Sequence, residues 1–337
     1  MALKSFSPFF GKKVLLLTHS GCDIDALSSA GAIYFSLNSK SKITIGVPDH
    51  MNLTAAQLAK NLSIPFTTNL EFRNFDAIIC LDFNEFGMLG SLREKFENFG
   101  GEKFLIDHHR AGKDNLAPAK NVHSVPKAVS TTEIIYDLLK KTKVKIPKKA
   151  YLCIACGIIS DSASFMVADH ETFYIMAEVM SRAKTPYSEI VSLFSVEKDF
   201  SEKVASLKAA KRCRIFRSGE TIIATADIGA FESSAASILV RIGADVAICG
   251  YSDKGQVRIS GRANNYWLRK NGFSLAREVF SHLETFFEGK GGGHPGAAGF
   301  NGSGESVEGH LKKCVELVHE FNVKKNGVAG GELKEYT

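Results

Sequence analysis

Short apolar runs alternate with segments of helical period through the first half of the chain. KKVLLLTH, SKITIGV, FDAIICLDF and EKFLIDHH are β-branched and Leu-rich, whereas ALSSAGAIYFSLN and EFGMLGSLREKFENF repeat their apolar positions at helical spacing. The pattern predicts βα units, hence a mainly parallel sheet flanked by helices, in which ligands gather beyond the carboxyl ends of the strands. A further helix is predicted from Ser130, where S-T-T-E places Glu133 three residues after a capping serine and IIYDLLKK follows.

Beyond Asp161, HETFYIMAEVMSRA and DFSEKVASLKAAKR have helical period and connect to a second α/β pattern. There ETIIATADIG, DVAICGYSD and QVRISGRA predict strands, and FESSAASILVRIG, FSLAREVFSHLETFF and SVEGHLKKCVELVHEF predict helices. The expected organisation is an α/β domain over 1–185, a helical linker over 186–210, a smaller α/β domain over 211–323 and a flexible tail over 324–337.

The 337 residues suit two domains better than one core. No apolar stretch approaches the roughly 18 residues of a membrane span, and the N-terminus lacks the apolar core and cleavage site of a secretory signal, so no membrane partner and a cytoplasmic location are expected. Seven scattered cysteines do not form a disulfide framework, and Cys153 and Cys156, although spaced C-x-x-C, lie in the apolar YLCIACGII and predict core. The net charge of +6 suits an anionic substrate without naming one.

Candidate chemistry clusters at the ends of the apolar runs. HSGCDID offers His19, Asp23 and Asp25, whose oxygens and imidazole suit Mn²⁺ or a similar ion, although Asp23 or Asp25 capping the next helix explains them equally well. Asp82 ends AIICL, Asp107, His108 and His109 end FLI, and Asp161 follows GIIS. Fold stability does not require acidic and imidazole groups at four such ends. A two-metal centre does, because ions roughly 3.5–4 Å apart share a carboxylate and activate water toward phosphorus. His19, Asp23, Asp25, Asp82, His108 and Asp161 supply six donors.

Taken in order, these segments resemble the motifs of the DHH phosphoesterase family: H-x-x-P-D-x-D, an Asp after a strand, D-H-H, and an Asp after an apolar segment. GKGGGHPGAAGF, residues 289–300, resembles the GGGH-x-x-AAG signature of the family's associated C-terminal domain, so the resemblance spans most of 12–322. It implies two divalent ions, Mn²⁺ first and Mg²⁺ or Co²⁺ as alternatives. His19 and Asp23 would hold one, Asp25, His108 and Asp161 the other, and Asp82 would bridge them. Asp107 would support the ligands from behind, and His109 would act with Asp82 in catalysis, near the scissile phosphate. Two positions depart from the family: Cys22 stands where Pro is usual, and Ile24 where Gly is common. Cys22 is expected to pack rather than bind metal.

On the substrate side, Gly291, Gly292 and Gly293 form a turn whose backbone can approach a ligand, and His294 offers a donor. Arg258 and Arg262 alternate onto one strand face, with Arg262 favoured for phosphate recognition. Phe231, Tyr266 and Trp267 are stacking platforms or core, and the lysines of 140–149 and the basic run 208–217 are expected to be solvated faces. The short chain with one associated domain resembles the nanoRNase and pAp-phosphatase branch, which implies a short oligonucleotide or nucleotide as substrate and allows a homodimer. Linear or cyclic dinucleotide cleavage is the alternative, and a catalytically silent nucleotide or single-strand binding module is the competing class. A RecJ-type exonuclease would need an added barrel, and GGGH is foreign to the pyrophosphatases of the superfamily.

Overall fold

The computed structural model describes residues 3–110, 112–326 and 332–336. It separates into two compact units, Met1–Val196 and Glu197–Thr337. The first contains β1 (Lys13–Leu17), α1 (Ile24–Leu37), β2 (Lys42–Gly46), α2 (Leu53–Leu62), β3 (Ala77–Leu81), α3 (Arg93–Glu97), β4 (Glu102–Asp107), β5 (Val122–Ser124), α4 (Thr131–Thr142), α5 (Lys148–Asp161), α6 (His170–Ala183) and α7 (Tyr187–Ser192). Its sheet has the order β2-β1-β3-β4-β5 with every pairing parallel. All five residues of the central β3 are buried, as the continuous apolar run AIICL requires of a strand covered on both faces. One apolar layer, with Leu16, Ile79, Leu27 and Ile154, lies on one side of the sheet, and another, with Leu15, Ile78 and Phe96, on the other. Cys22, Cys153 and Cys156 are buried in the first.

The second unit contains α8 (Phe200–Arg212), β6 (Arg214–Ser218), β7 (Thr221–Asp227), α9 (Glu232–Arg241), β8 (Val246–Asp253), β9 (Gln256–Ala263), α10 (Asn265–Asn271), a π-helical turn at Ala276–Phe280, α11 (Ser281–Leu283), β10 (Gly289–His294), β11 (Ala297–Ser303), α12 (Glu308–Asn326) and β12 (Leu333–Tyr336). The strands form a mixed sheet, β10-β11-β9-β8-β7-β6-β12, in which β7 and β8 pair in parallel and the other described pairings are antiparallel. No helix among the described residues is long and apolar enough to cross a membrane.

Three expectations are corrected. EFGMLGSLREKFENF is not one helix, because Gly90 takes a left-handed φ of 53° inside a 3₁₀ segment, Phe86–Leu92, and only Arg93–Glu97 is α-helical. GKGGGHPGAAGF is not a free turn: it forms a β-hairpin in which Gly292 pairs with Gly299 and His294 with Ala297. The tail over 324–337 is not free in its described part either. Helix α12 runs to Asn326, and Leu333–Tyr336 adds an antiparallel edge strand to β6, where Glu335 receives two guanidinium bonds from Arg214 at 2.6 and 2.9 Å. A four-residue edge strand has no periodicity to show, since its register comes from backbone pairing with a distant partner.

Candidate metal centre

The carboxyl ends of β1, β3 and β4 lie side by side in the parallel sheet, so the residues that follow each strand emerge on one rim. His19 follows β1, Asp82 follows β3, and His108 and His109 follow β4. Asp23 and Asp25 come from the start of α1, and Asp161 is the last residue of α5. Among the described residues three ligand-capable groups result: His19, Asp23 and Asp82; Asp25, Asp82, His108 and Asp161; and Asp82, His108 and His109, each with its donor atoms within 4.8 Å of one another. Asp82 belongs to all three. Its φ of 67° is left-handed, a conformation costly for a residue with a side chain and often met at functional sites.

Helix starts hold the carboxylates. Asp23 caps α1, its Oδ1 accepting from Ala26 N–H at 3.0 Å, so capping and membership of the cluster occur together. Asp25 is fully buried and sits at the N-terminus of α4, where Thr131 N–H (2.7 Å), Thr132 N–H (3.1 Å) and the Thr132 hydroxyl all donate to it. The Thr131 hydroxyl donates to Asp82 Oδ1 at 2.8 Å. Burial, then the charge of Asp161, pushes Asp25 up to about 8. Burial and the neighbouring Asp25, Asp23 and Asp161 hold Asp82 well above the usual carboxylate range.

The imidazoles complete the arrangement. Burial pulls His108 down, but Asp161 and Asp25 outweigh it and raise it to about 9. His108 Nδ1 contacts the Ala128 carbonyl at 3.3 Å, while its buried Nε2 has no hydrogen-bond partner and lies 3.3 Å from Asp161 Oδ2 and 3.5 Å from Asp82 Oδ1. His19 Nδ1 contacts the Ser20 carbonyl at 3.0 Å, leaving Nε2 on the Asp23 side at 3.7 Å. Burial pulls the His19 pKa down, but Asp23, the Ser20 carbonyl and Asp25 together outweigh it and raise it. An orphaned imidazole nitrogen among carboxylates that repel one another fits a divalent cation, which relieves both.

Asp107 is buried behind this rim. Its Oδ1 accepts from His109 N–H (3.2 Å) and His109 Nδ1 (2.8 Å), and its Oδ2 from the Asn84 amide (2.6 Å). Burial works against ionisation of Asp107, but these His109 bonds hold it below the usual range. The His109 side chain is 54% exposed. Cys22 is fully buried and burial pushes its thiol up to about 12, so it is no thiolate donor.

Sequence reasoning missed Thr131, Thr132, Asn84 and Gly157. The threonines lie inside the S-T-T-E cap and Asn84 two residues past Asp82, so a signal was present for each. Gly157 has none. A Cβ there would strike the Thr132 hydroxyl and stand 2.8 Å from Asp25 Oδ1, so only glycine lets α5 approach so closely.

In the second unit Arg258 and Arg262 share one face of β9. Arg262 donates to the Gly261 carbonyl (2.9 Å) and the Ser233 hydroxyl, and Arg258 lies 3.6 Å from Glu232. The three glycines differ. Gly291 N–H is taken by Glu284 Oε1 at 2.8 Å and its Cα faces the Phe280 carbonyl, while Gly293 has φ 135° against the Ala297 carbonyl. Both serve the hairpin, and Gly292 and His294 remain exposed. Trp267 is core, stacked edge-on to Phe273 and donating to Thr221 Oγ1 at 3.1 Å, whereas Tyr266 is exposed.

The chain is 26% identical to an uncharacterized protein of Methanocaldococcus jannaschii over 334 residues, 93% of this chain and 95% of that one. It is 25% identical over 178 residues to a probable manganese-dependent inorganic pyrophosphatase of Streptococcus equi subsp. zooepidemicus, a match spanning about half of each chain (50% and 55%). The fold is similar to that of an exopolyphosphatase-related protein from Bacteroides fragilis, with TM-score 0.66, 19% identity and 91% and 92% of the two chains covered. Residues 13–158 match the DHH family N-terminal domain and residues 223–324 the DHHA1 domain. With both domains present in that order, and with the acidic and imidazole groups of the first gathered on one rim, the chain belongs to the DHH family.

Proposed function

We propose that the chain is a metal-dependent phosphoesterase of the nanoRNase and pAp-phosphatase type, hydrolysing short oligonucleotides or small nucleotides. One observation carries this reading: Asp82 is common to every ligand group, as a residue bridging two ions would be. His19 and Asp23 would hold one ion, Asp25, His108 and Asp161 the other. Divalent ions there, Mn²⁺ first, supply Lewis acidity, acidifying water and offsetting phosphate charge.

The chain's own residues do the rest. His109 is half-exposed and anchored through Nδ1 on Asp107, so its Nε2 is free to hold a proton at a substrate oxygen. Thr131 and Thr132 keep Asp82 and Asp25 aimed at the rim. In the second unit Arg262, Arg258, Gly292 and His294 are the proposed phosphate and nucleotide contacts.

The test is a panel of dinucleotides and short RNAs, pAp, cyclic dinucleotides and pyrophosphate, each incubated with the full chain and Mn²⁺. Release of 5′-mononucleotides or of phosphate from pAp, lost with chelator and in Asp82→Ala, is the expected result. Turnover that survives both would refute the mechanism, and nucleotide binding without turnover would establish the silent module. The 178-residue match to the pyrophosphatase makes pyrophosphate the second substrate to examine.

A further inference from the structure

Glu133 is almost fully buried at the third position of α4, in a capping arrangement that departs from the usual one. The Ser130 hydroxyl accepts from Glu133 N–H at 3.2 Å, as expected. The reciprocal bond would join the Glu133 carboxylate to Ser130 N–H, yet Oε2 accepts instead from Val129 N–H, one residue earlier, at 3.0 Å. That N–H and the Ala128 carbonyl belong to one planar trans peptide, so they point in opposite directions. The Ala128 carbonyl is the group that meets His108 Nδ1 at 3.3 Å. The turn is tied down besides, with Ala128 N–H on the Val125 carbonyl (2.9 Å) and Val125 N–H on the Asp107 carbonyl (3.0 Å).

We infer that Glu133 is a positioning residue for His108, acting through the Ala128–Val129 peptide. Because a carbonyl only accepts, His108 carries a proton on Nδ1, so that Nε2, beside Asp82 and Asp161, is the nitrogen whose lone pair a bound cation would take in place of a proton. A carboxylate drawing on the N–H end of that peptide polarises its carbonyl and makes it a better acceptor, which fixes the ring and strengthens its donor nitrogen. A helix cap would not need the displaced bond; a ligand support would. The inference rests on the proposed role of His108 as a metal ligand.

The experiment uses the Co²⁺-loaded full chain and the exchangeable ring N–H protons of its histidine ligands, shifted by the ion in the NMR spectrum. The His108 signal is assigned by its loss in His108→Gln. His19, whose Nδ1 rests on the Ser20 carbonyl, provides an internal control with no link to Glu133. Glu133→Met fills the space without an acceptor, and Glu133→Ala replaces it should the methionine not fit. Either should move or broaden the His108 proton, leave that of His19 in place, and weaken Mn²⁺ binding about tenfold. Glu133→Gln, which keeps an acceptor oxygen, should restore the signal. Ser130→Ala, which breaks only the other half of the cap, should lower the melting temperature with the His108 proton unmoved. An unchanged His108 proton in Glu133→Met and Glu133→Ala, or an equal disturbance of both histidines, overturns the positioning role alone. Absence of any shifted histidine N–H in the wild-type protein overturns the metal-ligand reading and this inference with it.

Discussion

The Thr131 hydroxyl lies 2.8 Å from Asp82 Oδ1, and through it the first residue of α4 grips the carboxylate that all the ligand groups share. The same residue's N–H holds Asp25. Thr131→Val keeps the branched shape and the backbone bond to Asp25 and removes only the bond to Asp82. Mn²⁺ affinity, measured by titration of the metal-free protein, should fall about 10- to 100-fold, the usual effect of losing a partner that orients a ligand. Affinity equal to wild type would show that Asp82 is aimed without it.

Gly157 makes a steric prediction. A methyl group there points into the Thr132 hydroxyl and Asp25, and both are backed by helix starts that cannot retreat. Gly157→Ala should cost about 1–3 kcal/mol in denaturant unfolding of the metal-free protein, as overpacking does. It should also weaken Mn²⁺ binding, because the methyl presses on the Thr132 hydroxyl and on Asp25, a proposed ligand. A stable variant with wild-type affinity would mean that α5 shifts freely.

The difference between Gly157 and Asp161, four residues apart, shows what was legible in the sequence. Strands β1, β3 and β4 were visible because apolar runs buried on both faces are continuous, and their polar ends marked the rim. Asp161 could be placed by the apolar run before it, although the run is a helix and the 13–158 family match ends short of it. Gly157 depends on how near one helix comes to another, which no local pattern encodes. The hairpin over Gly289–Ser303 was misread for a similar reason: glycine-rich strands lack alternating side chains, and their pairing is set by Arg258, Ile259 and Ser260 on β9.

Protonation of the centre sets a pH dependence. Asp25 has its pKa raised from 3.8 to about 8 by burial and Asp161, so the stability it contributes is present below pH 3.8 and is lost as pH rises toward 8. His108, raised from 6.5 to about 9 by its acidic neighbours against the pull of burial, contributes stability present below 6.5 and lost through 9. Both act in the same sense. The metal-free protein should become less stable between pH 4 and 9, and the stabilisation by saturating Mn²⁺ should grow over that window as the ion displaces protons. Asp25→Asn should flatten the decline in melts of the metal-free protein, and an unaltered slope would mean the loss arises elsewhere.

A variant at Arg262, a proposed phosphate contact, would test substrate recognition separately from metal binding. Its guanidinium is half-buried, with one bond to the Gly261 carbonyl and one to Ser233, so its plane is fixed while further N–H groups remain for a phosphate. Its unit contains none of the proposed metal ligands. Arg262→Ala should therefore leave the rise in melting temperature on Mn²⁺ addition unchanged and increase KM for whichever panel substrate is turned over. A charge-assisted bond of about 1.5–3 kcal/mol corresponds to roughly 10- to 100-fold. Arg262→Lys should recover little, because a point charge cannot reproduce two parallel N–H bonds. Loss of kcat at unchanged KM would instead place the guanidinium against the reacting phosphoryl group, with its bond made in the transition state.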